Sequence, residues 1–180
     1  SALRSARSVK TETEIAQIAR SGEIQEDVYR RIPGLYRAGM SDIELQIEIE
    51  RLSRMSGCLG QFRISGDSME LFMGNVLAGD NADTPTPYDF AMGGAGADPS
   101  LPVGADGTVI TGGMTVMVDV NGNYTGYMTD MTRVYKVGNI EPLAEKAHRC
   151  SIDILRMLEK QGIPGAKASD MHAAAEKIVN

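Results

Sequence analysis

The sequence predicts an α+β fold, an antiparallel sheet covered by helices, and two observations carry that prediction. Apolar residues recur with helical period in the first and last thirds of the 180 residues, while strand-like runs are confined to the middle. Such segregation favours α+β over an alternating parallel sheet. The strongest strand signals flank Asn121-Gly122-Asn123-Tyr124-Thr125-Gly126. No helix separates them, so they pair antiparallel.

The first helix opens on Thr11-Glu12-Thr13-Glu14, a capping box in which hydroxyl and carboxylate each take an orphan N–H. Ile15, Ile18, Ala19, Gly22 and Val28 follow at helical spacing and predict its apolar face. Pro33-Gly34 kinks or ends this element and Gly39 closes it. Ser41-Asp42-Ile43-Glu44 repeats the box, and Ile43, Ile47, Ile49 and Leu52 carry a second helix to Gly57. From Cys58 to Leu77, short apolar runs broken by Gly, Ser and Asn predict short strands and turns. Gly79 to Gly107, containing GGAGADPSLPVG, reads as a long loop of the kind that is functional or mobile. Met114 to Val137 is the strand pair. Pro142 suits the first turn of a helix continued by Leu143, Ala147, Ile154, Leu155 and Leu158. Gly162 and Pro164-Gly165 break it, and Ser169 starts a last helix that runs to Asn180.

The totals bound the function. Hydrophobic residues at 42% and charged residues at 23% describe a globular chain, read as one domain over residues 1–180. A net charge of −6 and a pI near 5.0 argue against nucleic acid as a partner. No apolar run approaches membrane-spanning length, so no membrane partner is expected. Cys58 and Cys150 lie in no metal-ligand pattern; they read as free thiols in a reducing cytoplasm, with a disulfide between them left open.

The chemistry sits in VDVNGNYTGYMTDMTR, Val118 to Arg133. Asp119 and Asp130 are an odd number of residues apart, which in a hairpin with an even loop returns both to one face. With Tyr124 and Thr125 at the tip they sit directly opposite; a bulge at Asn121-Gly122-Asn123 would alter the count. Facing acids repel, and burying either is costly. Arg133 falls on the face opposite Asp130, which leaves a divalent cation such as Mn²⁺, Co²⁺ or Zn²⁺ as the compensating charge. The plainer alternative is a pair of solvated strand acids.

The surrounding residues go further. Asp119, Gly126-Tyr127, Asp130, Thr132-Arg133 and Gly138 follow a pattern of apolar–Asp, turn, Gly-Tyr, then Asp-x-Thr-Arg and Gly. MVDVNGNYTGYMTDMTRVYKVG resembles the metal-binding hairpin of the creatinase/prolidase/methionine aminopeptidase superfamily, the M24 or pita-bread metallopeptidases. RSVKTETEIAQIARSGEIQEDVY resembles that family's domain opening and YRAGMSDIELQIEIERLSRMSG its second helix, so the likeness covers nearly the whole chain. Xaa-Pro dipeptidases and aminopeptidases P are the subfamilies it resembles most.

The resemblance implies the pita-bread fold, here as an incomplete half. It also implies a dinuclear site of two Asp, one His and two Glu, in which Asp119 chelates one metal and Asp130 bridges both. A bridging water attacks the scissile carbonyl, and the substrate is a peptide with proline at the second position. This chain holds two of the five ligands. The family takes the other three from later segments, and His148 and His172 read as exposed helical residues instead. A second departure is the family's Pro-His: Ser100 follows Pro99, and a Ser donates a hydrogen bond but does not titrate near neutrality. The alternative for Ser100 is a plain turn residue.

The expectation is therefore a partial metallopeptidase catalytic domain over 1–180, lacking an upstream domain and the second half. As written it would be inactive, with metal bound weakly or not at all. Apolar surface along Met114–Val137 further predicts a homodimer or poor solubility. A creatinase-like hydrolase or a binding module on the same fold is the alternative, and an interaction domain with solvated acids is a third reading.

Overall fold

The computed structural model describes residues 2–63, 70–71, 73–87 and 93–179. They form two units, one to Gly138 and one from Asn139.

In the first unit a short helix α1 (Ala2–Ser8) precedes α2 (Glu12–Arg31). The sequence reading left α1 unassigned. Both capping boxes form: Thr11 and Glu14 cap α2, and Ser41 and Glu44 cap α3 (Asp42–Met55). α2 ends at Arg31 and passes into a 3-10 turn over Ile32–Gly34, because Pro33 cannot continue the ladder.

Among the described residues seven strands follow: β1 (Phe62–Arg63), β2 (Glu70–Leu71), β3 (Gly74–Ala78), β4 (Thr115–Val120), β5 (Gly122–Asn123), β6 (Met128–Thr129) and β7 (Thr132–Lys136). All pairings are antiparallel, as predicted: β1 with β2, β5 with β6, and a central sheet in the order β3-β4-β7. Val116, Val118 and Val120 alternate inward along β4 and join Val76 and Ala78 of β3 in the core. Tyr29, Ile32, Leu45 and Ile49 of the helical layer pack on this face.

One predicted face is corrected in part, since Val28 is buried as predicted. α2 buries Ser21, Gln25, Val28 and Tyr29, whereas Ile15 is 49% exposed. The reason is that α2 lies against hairpin backbone, and backbone groups demand polar partners.

The glycine-rich loop is folded on itself where it is described. Gly94 N–H donates to Thr84 O, Gly96 N–H to Gly104 O, and Gly104 N–H to Gly93 O. Asn81 and Asp42 anchor it. Asn81 accepts from Ala95 N–H and donates to Gly104 O, while Asp42 accepts from Gly107 N–H at 2.9 Å.

The second unit is a helical hairpin of α4 (Pro142–Gln161) and α5 (Ala168–Val179). Gly162 ends α4, and the thiol of Cys150 reaches Ile178 O at 3.6 Å. Both cysteines are free. Among the described residues no helix is long and apolar enough to cross a membrane.

Candidate metal centre

Asp119 pairs with Thr132 and Gly122 with Thr129, so one register runs through the whole hairpin. No residue is gained or lost, and the bulge considered at Asn121-Gly122-Asn123 is absent. The turn centres on Thr125-Gly126 rather than Tyr124-Thr125. Gly126 supplies the positive φ (+88°), and Asn123 Oδ1 holds its N–H at 3.0 Å, a local bond that draws the turn along by one residue.

The expectation that the acids sit directly opposite is corrected by this shift. Asp119 faces Thr132, and by the same count Asn121 faces Asp130. The shared face survives, since Asp119, Asn121, Asp130 and Thr132 all alternate to the side away from Val118 and Val120. The acids are diagonal neighbours.

Each acid has a neutral donor across the ladder. Thr132 donates its hydroxyl to Asp119 Oδ1 at 2.8 Å. In the orientation that satisfies both ends of its amide, Asn121 donates to Asp130 Oδ1 at 3.1 Å and to Thr129 O at 3.0 Å. Burial holds the Asp119 carboxyl above the ordinary carboxylate range. The Thr132 bond works against that rise and the charge of Asp130 adds to it. Asp119 is half-buried and Asp130 exposed. Arg133 lies on the other alternation, opposite Val118, and its guanidinium donates to Thr132 O.

Gly74 brings β3 against this centre. Its φ is +145°, and a side chain there would overlap the carbonyl oxygen of Asp119. Asn75 is directly across from Asp119 on β3.

The sequence reading missed the residues behind the hairpin. Ser21, Gln25 and Tyr29 form a polar stripe four residues apart on α2. Ser21 Oγ donates to Tyr127 O at 2.9 Å, and Gln25 Nε2 donates to Val120 O at 2.5 Å. Tyr29 Oη accepts from Val120 N–H at 2.8 Å and bonds Met131 O. The signal was available: polar residues at i, i+4 and i+8 within an otherwise amphipathic helix.

Ser100 is exposed in a turn, its N–H on Asp98 Oδ1 at 2.9 Å. His148 is exposed, and His172 lies 3.5 Å from Glu176 on the surface of α5, both as expected of helical surface residues. Among the described residues no three His, Cys, Asp or Glu side chains cluster as a metal site. The donor set is thus two hard carboxylate oxygens on a rigid sheet, which suits a divalent ion but does not by itself complete a shell.

Comparison with known proteins bears on the family and the fold. The profile of metallopeptidase family M24 matches residues 16–180. Among solved structures, X-Pro aminopeptidase from Thermotoga maritima superposes with a TM-score of 0.75 at 21% identity, over 98% of this chain and 43% of that one. The prolidase from Pyrococcus horikoshii gives 0.70 at 22%, over 98% and 44%. Escherichia coli aminopeptidase P, in a Glu383Ala form in complex with substrate, gives 0.71 at 20%, over 94% and 33%. The chain spans less than half the length of each of these proteins. No curated protein matches it. With an antiparallel sheet under helices in the pita-bread arrangement and the profile matched over nearly its whole length, the chain belongs to metallopeptidase family M24.

Proposed function

We propose that Asp119 and Asp130 are metal ligands of an exopeptidase that cleaves Xaa-Pro bonds, with residues 1–180 forming the first part of its catalytic domain. One observation carries the reading: two acids share one sheet face as diagonal neighbours, and the charge of Asp130 bears on a half-buried Asp119. A divalent cation between them turns that repulsion into attraction. The activities of the structural neighbours, X-Pro aminopeptidase and prolidase, support the substrate class.

In this reading Asp119 and Asp130 would hold the divalent ions together with one His and two Glu from segments outside 1–180. When bound, such ions would supply Lewis-acid chemistry for peptide hydrolysis. The chain's own residues hold the carboxylates in place: Thr132 orients Asp119 and Asn121 orients Asp130. The chain alone does not hydrolyse peptides. We place the protein in the cytoplasm, as a homodimer.

The test is hydrolysis of a dipeptide such as Ala-Pro, with Mn²⁺, by the natural polypeptide that carries this chain. Asp130→Asn should cost about a hundredfold or more in kcat/KM. No cleavage by the unsubstituted protein, across several metals and dipeptides, would remove the peptidase reading. Ser100, tied into a turn by Asp98, supports a second reading: a hydrolase on the same fold, creatinase-like, that needs no His there. Bound metal without peptide hydrolysis would favour it.

A further inference from the structure

The antiparallel ladder of the hairpin is opened at one rung, beside both acids. Val137 N–H donates to Met114 O, which fixes the phase of the ladder. Counting by two from that pair with the observed register, residues 120 and 131 would form a rung whose backbone groups bond each other directly. They do not. Val120 N–H donates to Tyr29 Oη at 2.8 Å, and Tyr29 Oη–H donates to Met131 O, so one phenolic oxygen stands inside the rung. Val120 O, the other half of the rung, accepts from Gln25 Nε2. The named strands stop on both sides of this place, β4 at Val120 and β7 from Thr132.

We propose that Tyr29 is a positioning residue for the acid pair, its hydroxyl setting how far apart Asp119 and Asp130 are held. Asp119 immediately precedes Val120, and Asp130 immediately precedes Met131. Replacing one direct N–H···O contact by two in series widens the strand gap at that rung, because each contact spans about 2.7–3 Å. Tyr29 is 4% exposed and fixed at both ends: its ring lies in the core and Tyr135 Oη donates to its carbonyl at 3.0 Å. The wedge is therefore part of the packed helix–sheet layer and does not move with the solvent. Removing the hydroxyl leaves two outcomes: closure of the rung, which draws the acids together, or two buried backbone groups without partners.

The inference rests on the metal role proposed for the two acids. It is tested by titrating Mn²⁺ into the natural polypeptide that carries this chain, followed by electron paramagnetic resonance, with Mg²⁺ and Ca²⁺ as competitors. Tyr29→Phe should weaken Mn²⁺ roughly tenfold, as loss of a ligand-supporting contact does. It should also shift the Ca²⁺/Mg²⁺ preference at least about threefold towards the smaller ion, since a closed rung narrows the site. A loss of general stability would lower both affinities together and leave their ratio alone. Unchanged affinity and ratio in a folded Tyr29→Phe chain overturn the inference, and so does a lowered affinity with the ratio intact. Should that variant not fold, Mg²⁺ titration of the unsubstituted chain by NMR decides. The Val120 amide and Tyr29 hydroxyl must shift on the same saturation curve as Asp119 and Asp130, and an unresponsive Val120 overturns the wedge. An unsubstituted natural polypeptide that binds no metal, or binds it regardless of Asp119→Asn and Asp130→Asn, fails the metal reading and the inference with it. Dependence on both acids but not on Tyr29 fails the inference alone.

Discussion

Thr132 stands directly across the β4–β7 ladder from Asp119 and gives its hydroxyl proton to Oδ1 at 2.8 Å. It stabilises the ionised form of a carboxylate that burial and the charge of Asp130 both disfavour. Thr132→Val keeps the branched shape and removes that donor. The variant should lose about 1 kcal/mol at neutral pH and less below the ordinary Asp range, where the carboxyl is protonated anyway. Urea unfolding at the two pH values measures the difference.

Asp119 fixes a pH dependence whose sign is opposite to that of a paired carboxylate. Its folded pKa is raised above the model-peptide value of 3.8, so the folded state binds the proton more tightly than the unfolded one. Stability is then highest below that value and falls as pH rises from it through the raised folded pKa. Asp119→Asn should abolish this part of the fall and leave the metal-free chain more stable at neutral pH by about 0.5–1 kcal/mol. Asp42, raised chiefly by burial, contributes a fall of the same sign in both proteins, so the difference between their curves is the quantity to read. Adding Mn²⁺ should stabilise the unsubstituted chain and not the variant.

Asp42 was legible as the first residue of a capped helix, and that is a small part of what it does. It is 0% exposed, and its carboxylate accepts from the neighbouring Ile43 N–H and from the Asp106 and Gly107 N–H groups. The last two partners lie some sixty residues away in the glycine-rich loop, and no local pattern reports them. Asp42→Ala should cost about 2–4 kcal/mol and speed exchange at the Gly107 amide above that at Ile49 in the helix. Denaturation and hydrogen exchange measure both.

Gly122 lies in the stretch that the strand signals flank, where a bulge was considered, yet it is buried on β5, and the glycine at the turn is Gly126. A Cβ at 122 would meet Gln25 Oε1, the Tyr124 ring and Thr129 Oγ1. Gly122→Ala should therefore destabilise by about 2–3 kcal/mol, more than the same change at Gly126 costs through φ alone. Thermal unfolding of the pair gives the ranking.

The sequence made the antiparallel pairing, both capping boxes and the common face of the acids visible, because each depends on period or on a spacing of three or two residues. It misplaced the tip of the hairpin, since one Asn123–Gly126 bond decides it. It also misjudged α2. An apolar count selects Ile15 and Ile18, whereas the face that matters is chosen by unpaired backbone on a hairpin a hundred residues away. Ser100 shows the remaining limit. Its turn is clear, held by Asp98, but a missing His says nothing about which other residue replaces it.

The central claim, that Asp119 and Asp130 together hold a divalent ion, is tested most directly by paramagnetic broadening with trace Mn²⁺ on the labelled natural polypeptide that carries this chain. The amides of Asp119, Asn121, Asp130 and Thr132 should broaden first, and Asp119→Asn or Asp130→Asn should each remove the effect. Broadening spread over surface acids such as Glu23 and Glu26, or undiminished by either substitution, would contradict it.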